Sequence, residues 1–257
     1  MGRDKPQVNH LARYMAEYVF APEQGKHYGN KILALHQRRR RLLVDTACDY
    51  QARTVLAMMR RRLLGVEGII ISHFHEDHIS GLQEMPNVAV YGSDRFQATL
   101  ALQYPQESHS RYAPSVIFEQ ELDLSFGPHS VRLLAHPGHT ACTVLTIIND
   151  KYIHIGDELM FSNDGRPLLP LVVDKGGIGR QLDSLHHLKQ FADYTLIPVH
   201  GPAFGGRKKV LFEIDNRIRY LDAVVNSKGK ISYQEAVKDC DCQFLHSEWH
   251  KVISSKV

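Results

Sequence analysis

An apolar run, Gly68-Ile69-Ile70-Ile71-Ser72, breaks directly into His73-Phe74-His75-Glu76-Asp77-His78. The run reads as a buried strand, so the fold must deliver three imidazoles and a carboxylate to the end of that strand. His73 and His75 are two apart, and in extended chain both side chains leave on the same face. Asp77 and His78 are adjacent and suit a turn or helix start aimed at a second, nearby point. Imidazole and carboxylate are first-choice ligands for zinc and other divalent transition metals. The spacing therefore points to two metals rather than one. A solvated, His-rich loop is the plainer alternative, and it loses weight because ligand-type residues recur downstream in the same context.

Three such recurrences stand out. His139 follows the run Ser130-Val131-Arg132-Leu133-Leu134 and a Pro137-Gly138 turn, which would hold the next side chain at a strand end. Asp157 closes Tyr152-Ile153-His154-Ile155-Gly156-Asp157, and His200 closes Leu196-Ile197-Pro198-Val199-His200. Each ends a short apolar run at a Gly- or Pro-containing turn, where a rigid scaffold commonly carries its functional groups. A carboxylate has two oxygens, and Asp157 suits a bridging role between two cations. His136, His154, His186, His187, His246 and His250 read as surface or packing residues.

With these residues in order, the chain resembles the metallo-β-lactamase superfamily of metallohydrolases. The resemblance rests on His-x-His-x-Asp-His at 73–78, Pro-Gly-His-Thr at 137–140, Gly-Asp at 156–157, the strand-end His200 and an early Val44-Asp45-Thr46. It covers residues 30 to about 205. It implies an α+β fold, a four-layer αβ/βα sandwich. It also implies that His73, His75 and His139 hold one metal, that Asp77, His78 and His200 hold the other, that Asp157 bridges them, and that Asp45 supports them from behind. An Asp at 157 is similar to glyoxalase II, lactonases, nucleases and phosphodiesterases and unlike true β-lactamases. The stretch from Gly156 to Arg166 is similar to a glyoxalase II segment ending in Gly-Arg, so the resemblance makes Arg166 a substrate-anion candidate. His200-Gly201-Pro202 differs from the His-Glu-Tyr of glyoxalase II, and Met160 stands where acyl-homoserine lactonases place a Tyr.

The rest of the chain bounds this reading. Its 257 residues, 43% apolar and 23% charged, fit one soluble globular domain over 1–257, with a mainly helical tail from about 206. Strands are expected at 31–36, 41–45, 69–72, 88–91, 116–118, 130–135, 142–148, 152–155 and 195–199. Helices are expected at 50–63, 93–103, 180–191, 210–226 and 232–239, with Ser93 and Ser232 as N-caps. Asn149-Asp150 reads as a tight hairpin turn, and the arginines from Arg38 to Arg41 as an exposed one. No apolar run is long enough to cross a membrane, and the opening residues from Met1 to Pro6 lack the apolar core of a signal peptide. Cys48, Cys142, Cys240 and Cys242 are few and irregularly spaced, so a reduced, cytoplasmic protein is expected. A net charge of +3 is too small to argue for a nucleic-acid partner. The tail is expected to pack over the site or to form a subunit contact, which would make a homo-oligomer.

The expected activity is therefore a dinuclear metal-dependent hydrolase of a small ester, thioester or lactone. A hydroxide shared by two divalent metals would be the nucleophile, with Asp77 and Asp157 as the catalytic carboxylates. Zinc is preferred because every ligand is His or Asp; iron and manganese also fit. Phe74, Met160 and Phe161 are candidates to line the substrate pocket. Two alternatives share the motif: His75 to Gly81 is similar to persulfide dioxygenases, which use a single iron, and the same ligands serve phosphodiesterases and nucleases. There is no nucleophile-elbow Gly-x-Ser-x-Gly and no phosphate-binding glycine loop.

Overall fold

The structure is a computed structural model describing residues 5–174 and 176–257, which leaves the first four residues, Met1 to Asp4, outside it. Among the described residues, twelve strands form two sheets. The first sheet runs in sequence order: β1 (Gln7–Ala12), β2 (Met15–Val19), β3 (Lys31–Gln37), β4 (Arg40–Val44), β5 (Gly65–Ile70), β6 (Ala89–Ser93) and β7 (Val116–Phe118). Its first four strands are antiparallel, and β4 through β7 are parallel. The second holds β8 (Glu121–Phe126), β9 (His129–Ala135), β10 (Val144–Ile148), β11 (Tyr152–Gly156) and β12 (Thr195–Pro198). Only its β11–β12 pair is parallel.

The period-2 side-chain alternation of these strands builds the layers. Leu33, Leu35, Leu42, Val44 and Ile70 of the first sheet meet Val131, Leu133, Val144, Ile148 and Ile197 of the second in a core between the sheets. The alternate residues Ile32, Ala34, Leu43, Ile69 and Ile71 face outward onto Val55 and Met59 of α1 (Asp49–Arg61), Ile79 of α2 (Glu76–Ile79), and Phe96 and Leu100 of α3 (Phe96–Ala101). On the far side, Leu145, Ile147, Ile153, Ile155 and Leu196 pack on Leu185 and Leu188 of α4 (Gly177–Leu188) and on Ile214 and Leu221 of α5 (Arg207–Asn226). The result is the expected αβ/βα sandwich. Ala236 of α6 (Tyr233–Ala236) and Ile253 of α7 (His250–Ser254) join the same outer core, so the segment beyond 206 completes the fourth layer.

Local chemistry explains the turns. Asn149 and Asp150 both take positive φ, 54° and 48°, the two-residue turn that suits hairpin twist. Arg38 and Arg39 form the turn between β3 and β4, while Arg40 and Arg41 belong to the strand, and Arg41 is buried with its Nη1 donating to the Arg38 carbonyl. Ser232 caps α6 by accepting from the Glu235 amide. Ser93 is not the helix cap: it closes β6 two residues before the N-cap Arg95, its hydroxyl accepts from the Arg95 amide, and the helix begins at Phe96. No helix among the described residues is long and apolar enough to cross a membrane.

Candidate metal centre

The topology brings every expected ligand to one edge. β4 and β5 run parallel, so Asp45 and His73, just past their C-terminal ends, emerge side by side. In the second sheet β9 and β11 are both antiparallel to β10, and β12 is parallel to β11. His139, Asp157 and His200 therefore leave by the same edge. Two glycines permit this. Gly156 takes φ +53° beneath the Asp157 turn, and Gly201, at φ +95°, lies so close to Phe161 that an added Cβ would stand 2.5 Å from that residue's Cβ.

His73 Nε2 lies 3.0 Å from His75 Nδ1, and His139 Nε2 lies 3.2 Å from the same atom. These three form one converging group; Asp77, His78 and His200 form another, and His73, His78 and Asp157 lie between them. Asp157 Oδ2 stands 3.9 Å from both His73 and His139, 3.5 Å from His78 and 3.4 Å from His200, each measured to Nε2. His200 Nε2 is also 3.5 Å from Asp77. Separations of 3.0–3.9 Å among these atoms are those of donors each about 2.0–2.2 Å from a common ion. His78 Nε2 and Asp157 Oδ1 are buried without a hydrogen-bond partner. Buried polar atoms without partners are costly, and a cation at this point would satisfy both. The residues present thus fit divalent metal.

The outer atoms of the rings are tied down. Asp45, fully buried, accepts from the Ser72 amide through Oδ1 at 2.7 Å, and through Oδ2 from the Ser72 hydroxyl at 2.7 Å and from His78 Nδ1 at 2.9 Å. A carboxylate only accepts, so His78 carries its proton on Nδ1 and presents the lone pair of Nε2 inward. The Gly29 carbonyl does the same for His200, accepting from Nδ1 at 3.1 Å. His73 Nδ1 is 3.2 Å from the Ser72 hydroxyl, which already donates to Asp45 and so receives the ring proton. The His139 turn is pinned by Glu158, which accepts from the His139 amide at 2.9 Å, the Ser184 hydroxyl at 2.6 Å and Gln181 at 2.9 Å. Arg180 adds a hydrogen bond to the Gly138 carbonyl at 3.0 Å.

The electrostatics divide the cluster. Burial, with neighbouring imidazoles, holds His73 well below the ordinary histidine range and His75 at about 3; burial also lowers His139. These rings are neutral at any physiological pH. Burial also opposes charge on His78 and His200, but carboxylates outweigh it. Asp157, Asp77 and Asp45 hold His78 well above the ordinary value, and Asp157 and Asp77 push His200 up to about 9. Burial would raise Asp77 and Asp157, yet His78 and His200 hold both carboxyls well below the usual range. Without metal, this half is a proton-loaded ion cluster whose protons a cation must displace.

Around the cluster lies a cavity of about 670 Å³, lined by His75, Asp77, His139, Asp157 and His200, with Met160 also in its wall. The other expected substrate residues are elsewhere. Phe74 is fully buried and packs 5.3 Å from Phe96. Phe161 packs on Phe204 in the outer core. Arg166 lies on the surface, its Nε 2.9 Å from Asp164. The alternation that aims Met160 at the cavity turns Phe161 away, and the acid two residues before Arg166 occupies its guanidinium. The cavity is walled instead by Glu23, Lys26, Tyr28, Cys48, Gln103, Leu102, Leu171 and Val173. Tyr28 meets His200 edge-on at 4.6 Å, and its hydroxyl is held protonated by burial and by Asp77 and Asp157. Gly29-Asn30, a pair of turn-type residues directly before β3, is the available sequence sign that this loop approaches the site. All four cysteines are free thiols. Among the remaining histidines, His154 and His136 are buried, while His186 and His187 are exposed on α4.

The model of the metallo-beta-lactamase superfamily matches residues 30–200. A hydroxyacylglutathione hydrolase of Actinobacillus pleuropneumoniae serotype 5b is 27% identical over 206 residues, 75% of this chain and 78% of that protein. One from Glaesserella parasuis serovar 5 is 26% identical over 173 residues, 65% of this chain and 63% of that protein. Among solved structures, a metallo-beta-lactamase from Pontibacter korlensis superposes with TM-score 0.67 at 17% identity, over 85% of this chain and 99% of its own. The DIM-1 metallo-beta-lactamase gives 0.64 at 16% identity, over 85% and 97%.

Proposed function

The chain belongs to the metallo-beta-lactamase superfamily and is a hydrolase of that fold; from that premise we propose that it is a dinuclear metal-dependent hydrolase of a small ester, thioester or lactone. The observation that carries the dinuclear reading is the pair of three-donor groups lying either side of Asp157 Oδ2, with orphaned acceptors at His78 Nε2 and Asp157 Oδ1. His73, His75 and His139 would hold one cation, Asp77, His78 and His200 the other, and Asp157 both. Divalent cations held there supply Lewis acidity, lowering the pKa of water toward about 7 and polarising a carbonyl oxygen. The chain's own part is to keep the donor lone pairs aimed inward. Asp45 fixes the His78 tautomer, the Gly29 carbonyl that of His200, and the Ser72 hydroxyl that of His73. The Tyr28 phenol, protonated at the cavity wall, is placed to donate a hydrogen bond to a substrate oxygen. The names of the two relatives support an acyl thioester among the substrates.

Elemental analysis of the purified protein, with assays on a thioester, a lactone and a phosphodiester, tests this reading. Two divalent ions per chain and turnover of an acyl substrate, lost in His75→Ala and Asp157→Ala proteins that keep their circular dichroism, is the expected result. One iron per chain with no hydrolysis, or full activity in either variant, refutes it.

A further inference from the structure

We infer that the cavity over the ligand cluster holds an unbranched aliphatic acyl chain, so that the preferred substrate is a medium-chain acyl ester or thioester. This rests on the hydrolase reading and adds the substrate class. One wall is apolar and drawn from three separate segments. Leu102, just past α3, is 66% exposed and borders the cavity. It is fixed there because the adjacent Gln103 accepts from the Glu76 amide at 2.6 Å and donates to the Phe74 carbonyl at 2.9 Å, clamping the helix end to the ligand segment. Leu171 and Val173 face the same space, while Val172 between them is buried in the outer core, so alternation presents two apolar side chains to the cavity. That segment is tethered by Asp174, 2.6 Å from Arg180, which also holds the Gly138 carbonyl beside His139. Met160 completes the wall, its carbonyl held by Arg217 at 2.9 Å and by the Leu168 amide at 3.0 Å.

The opposite wall does not suit a strongly anionic leaving group. Lys26 is the one Lys or Arg among the described lining residues, and its ammonium is 3.2 Å from Glu23 and over the Tyr28 ring at 5.9 Å. Glu23 and Glu76 add negative charge at the rim, and Arg166 is engaged with Asp164 outside. An apolar wall binds an acyl chain by desolvation, and a rim whose one cationic side chain is already paired with Glu23 gives a free carboxylate no side-chain partner.

The test uses the metal-loaded full-length protein and p-nitrophenyl esters from acetate to octanoate. A fully buried methylene gains about fourfold. The six methylenes separating the ends, about half buried along an open wall, raise kcat/KM roughly 60-fold. Leu102→Glu, at an exposed position that does not threaten folding, should cut the octanoate-to-acetate ratio about tenfold, and Val173→Glu should do the same. A flat chain-length series, or a ratio untouched by both variants, overturns the acyl-chain assignment and leaves the hydrolase standing. No turnover of any ester, nor of a thioester or a lactone, in protein carrying both metals removes the hydrolase reading and this assignment together.

Discussion

Asp45→Asn isolates the support behind one half of the centre. The residue sits at φ +60°, a conformation asparagine tolerates as well as aspartate, and it is fully buried, so the substitution preserves backbone and volume. What changes is one atom. Oδ1 still accepts from the Ser72 amide, but an amide NH₂ now replaces Oδ2, where the Ser72 hydroxyl and His78 Nδ1 both donate. Two donors facing a third leave one relief: the imidazole moves its proton to Nε2 and accepts through Nδ1. That tautomer withdraws the lone pair aimed at the metal. Losing such a support costs about 10–100-fold in metal affinity or activity. Removing a charge-assisted hydrogen bond costs about 1.5–3 kcal/mol of stability, or roughly 3–12 °C in Tm at about 2–4 °C per kcal/mol for a chain this long. Chelator competition should find one of two metals weakened by that factor while the other is retained, with kcat falling in step. Metal affinity within threefold of the parent, with unchanged Tm, would refute the tautomer argument.

Other expectations follow from single contacts. Gly138→Ala would place a Cβ within 2.2 Å of Glu158 Oε1 and 2.3 Å of the Ser184 hydroxyl; the overpacking costs about 1–3 kcal/mol, and both Tm and metal content should fall. Arg217 is fully buried, bonded to Glu213 at 3.0 Å and to the Met160 carbonyl. Arg217→Ala leaves Glu213 unpaired and should cost about 3–5 kcal/mol in urea unfolding; a loss under 1 kcal/mol contradicts the pairing. Arg166→Ala, at a surface ion pair distant from the cavity, should leave KM for anionic thioesters unchanged, and a several-fold rise would restore it to the substrate site. For metal-free protein, His200 and His78 have raised folded values, so their contribution is complete below about 6.5 and lost as pH rises through the His200 value of about 9. His75, His136 and His154 have lowered values, of about 3, 4 and 4, so the unfolded chain gains their protons first and stability falls as pH drops below about 6.5. Thermal unfolding after chelation should therefore peak near pH 6.5, and the alkaline limb should vanish once metal is bound. An apoprotein whose Tm rises between pH 7 and 9 would sink this account.

Where sequence and structure agree, one local rule governs both. The strands carrying Asp45, His73, His139, Asp157 and His200 are short apolar runs stopped by a turn, and the expected boundaries fall within a few residues of the observed ones. β1, β2 and β8 were not legible. Gln7–Ala12 and Met15–Val19 mix polar and apolar residues without clean alternation and gain strand form from pairing, β2 with β3 and β1 with β2. Glu121–Phe126 does alternate, but six residues beside another short strand give a weak signal.

The substrate walls were illegible for a different reason. A ligand is chosen for its donor atom, which residue type announces; a wall residue is chosen for where its Cβ points, which only the assembled fold decides. Leu102, Leu171 and Val173 look like ordinary core residues in the sequence, and Phe74 and Phe161 look like better pocket candidates because they adjoin the ligands. Adjacency misleads in a strand end, since neighbours alternate faces: His73 and His75 turn to the His and Asp cluster and Phe74 to the helices, Met160 to the cavity and Phe161 to the outer core. The same alternation makes Leu171 and Val173 a pair. Which side chains face the cavity is therefore set by the phase of short extended segments relative to that edge, and inserting one residue between Leu169 and Asp174 should exchange the cavity and core faces of that segment while leaving the His and Asp cluster in place.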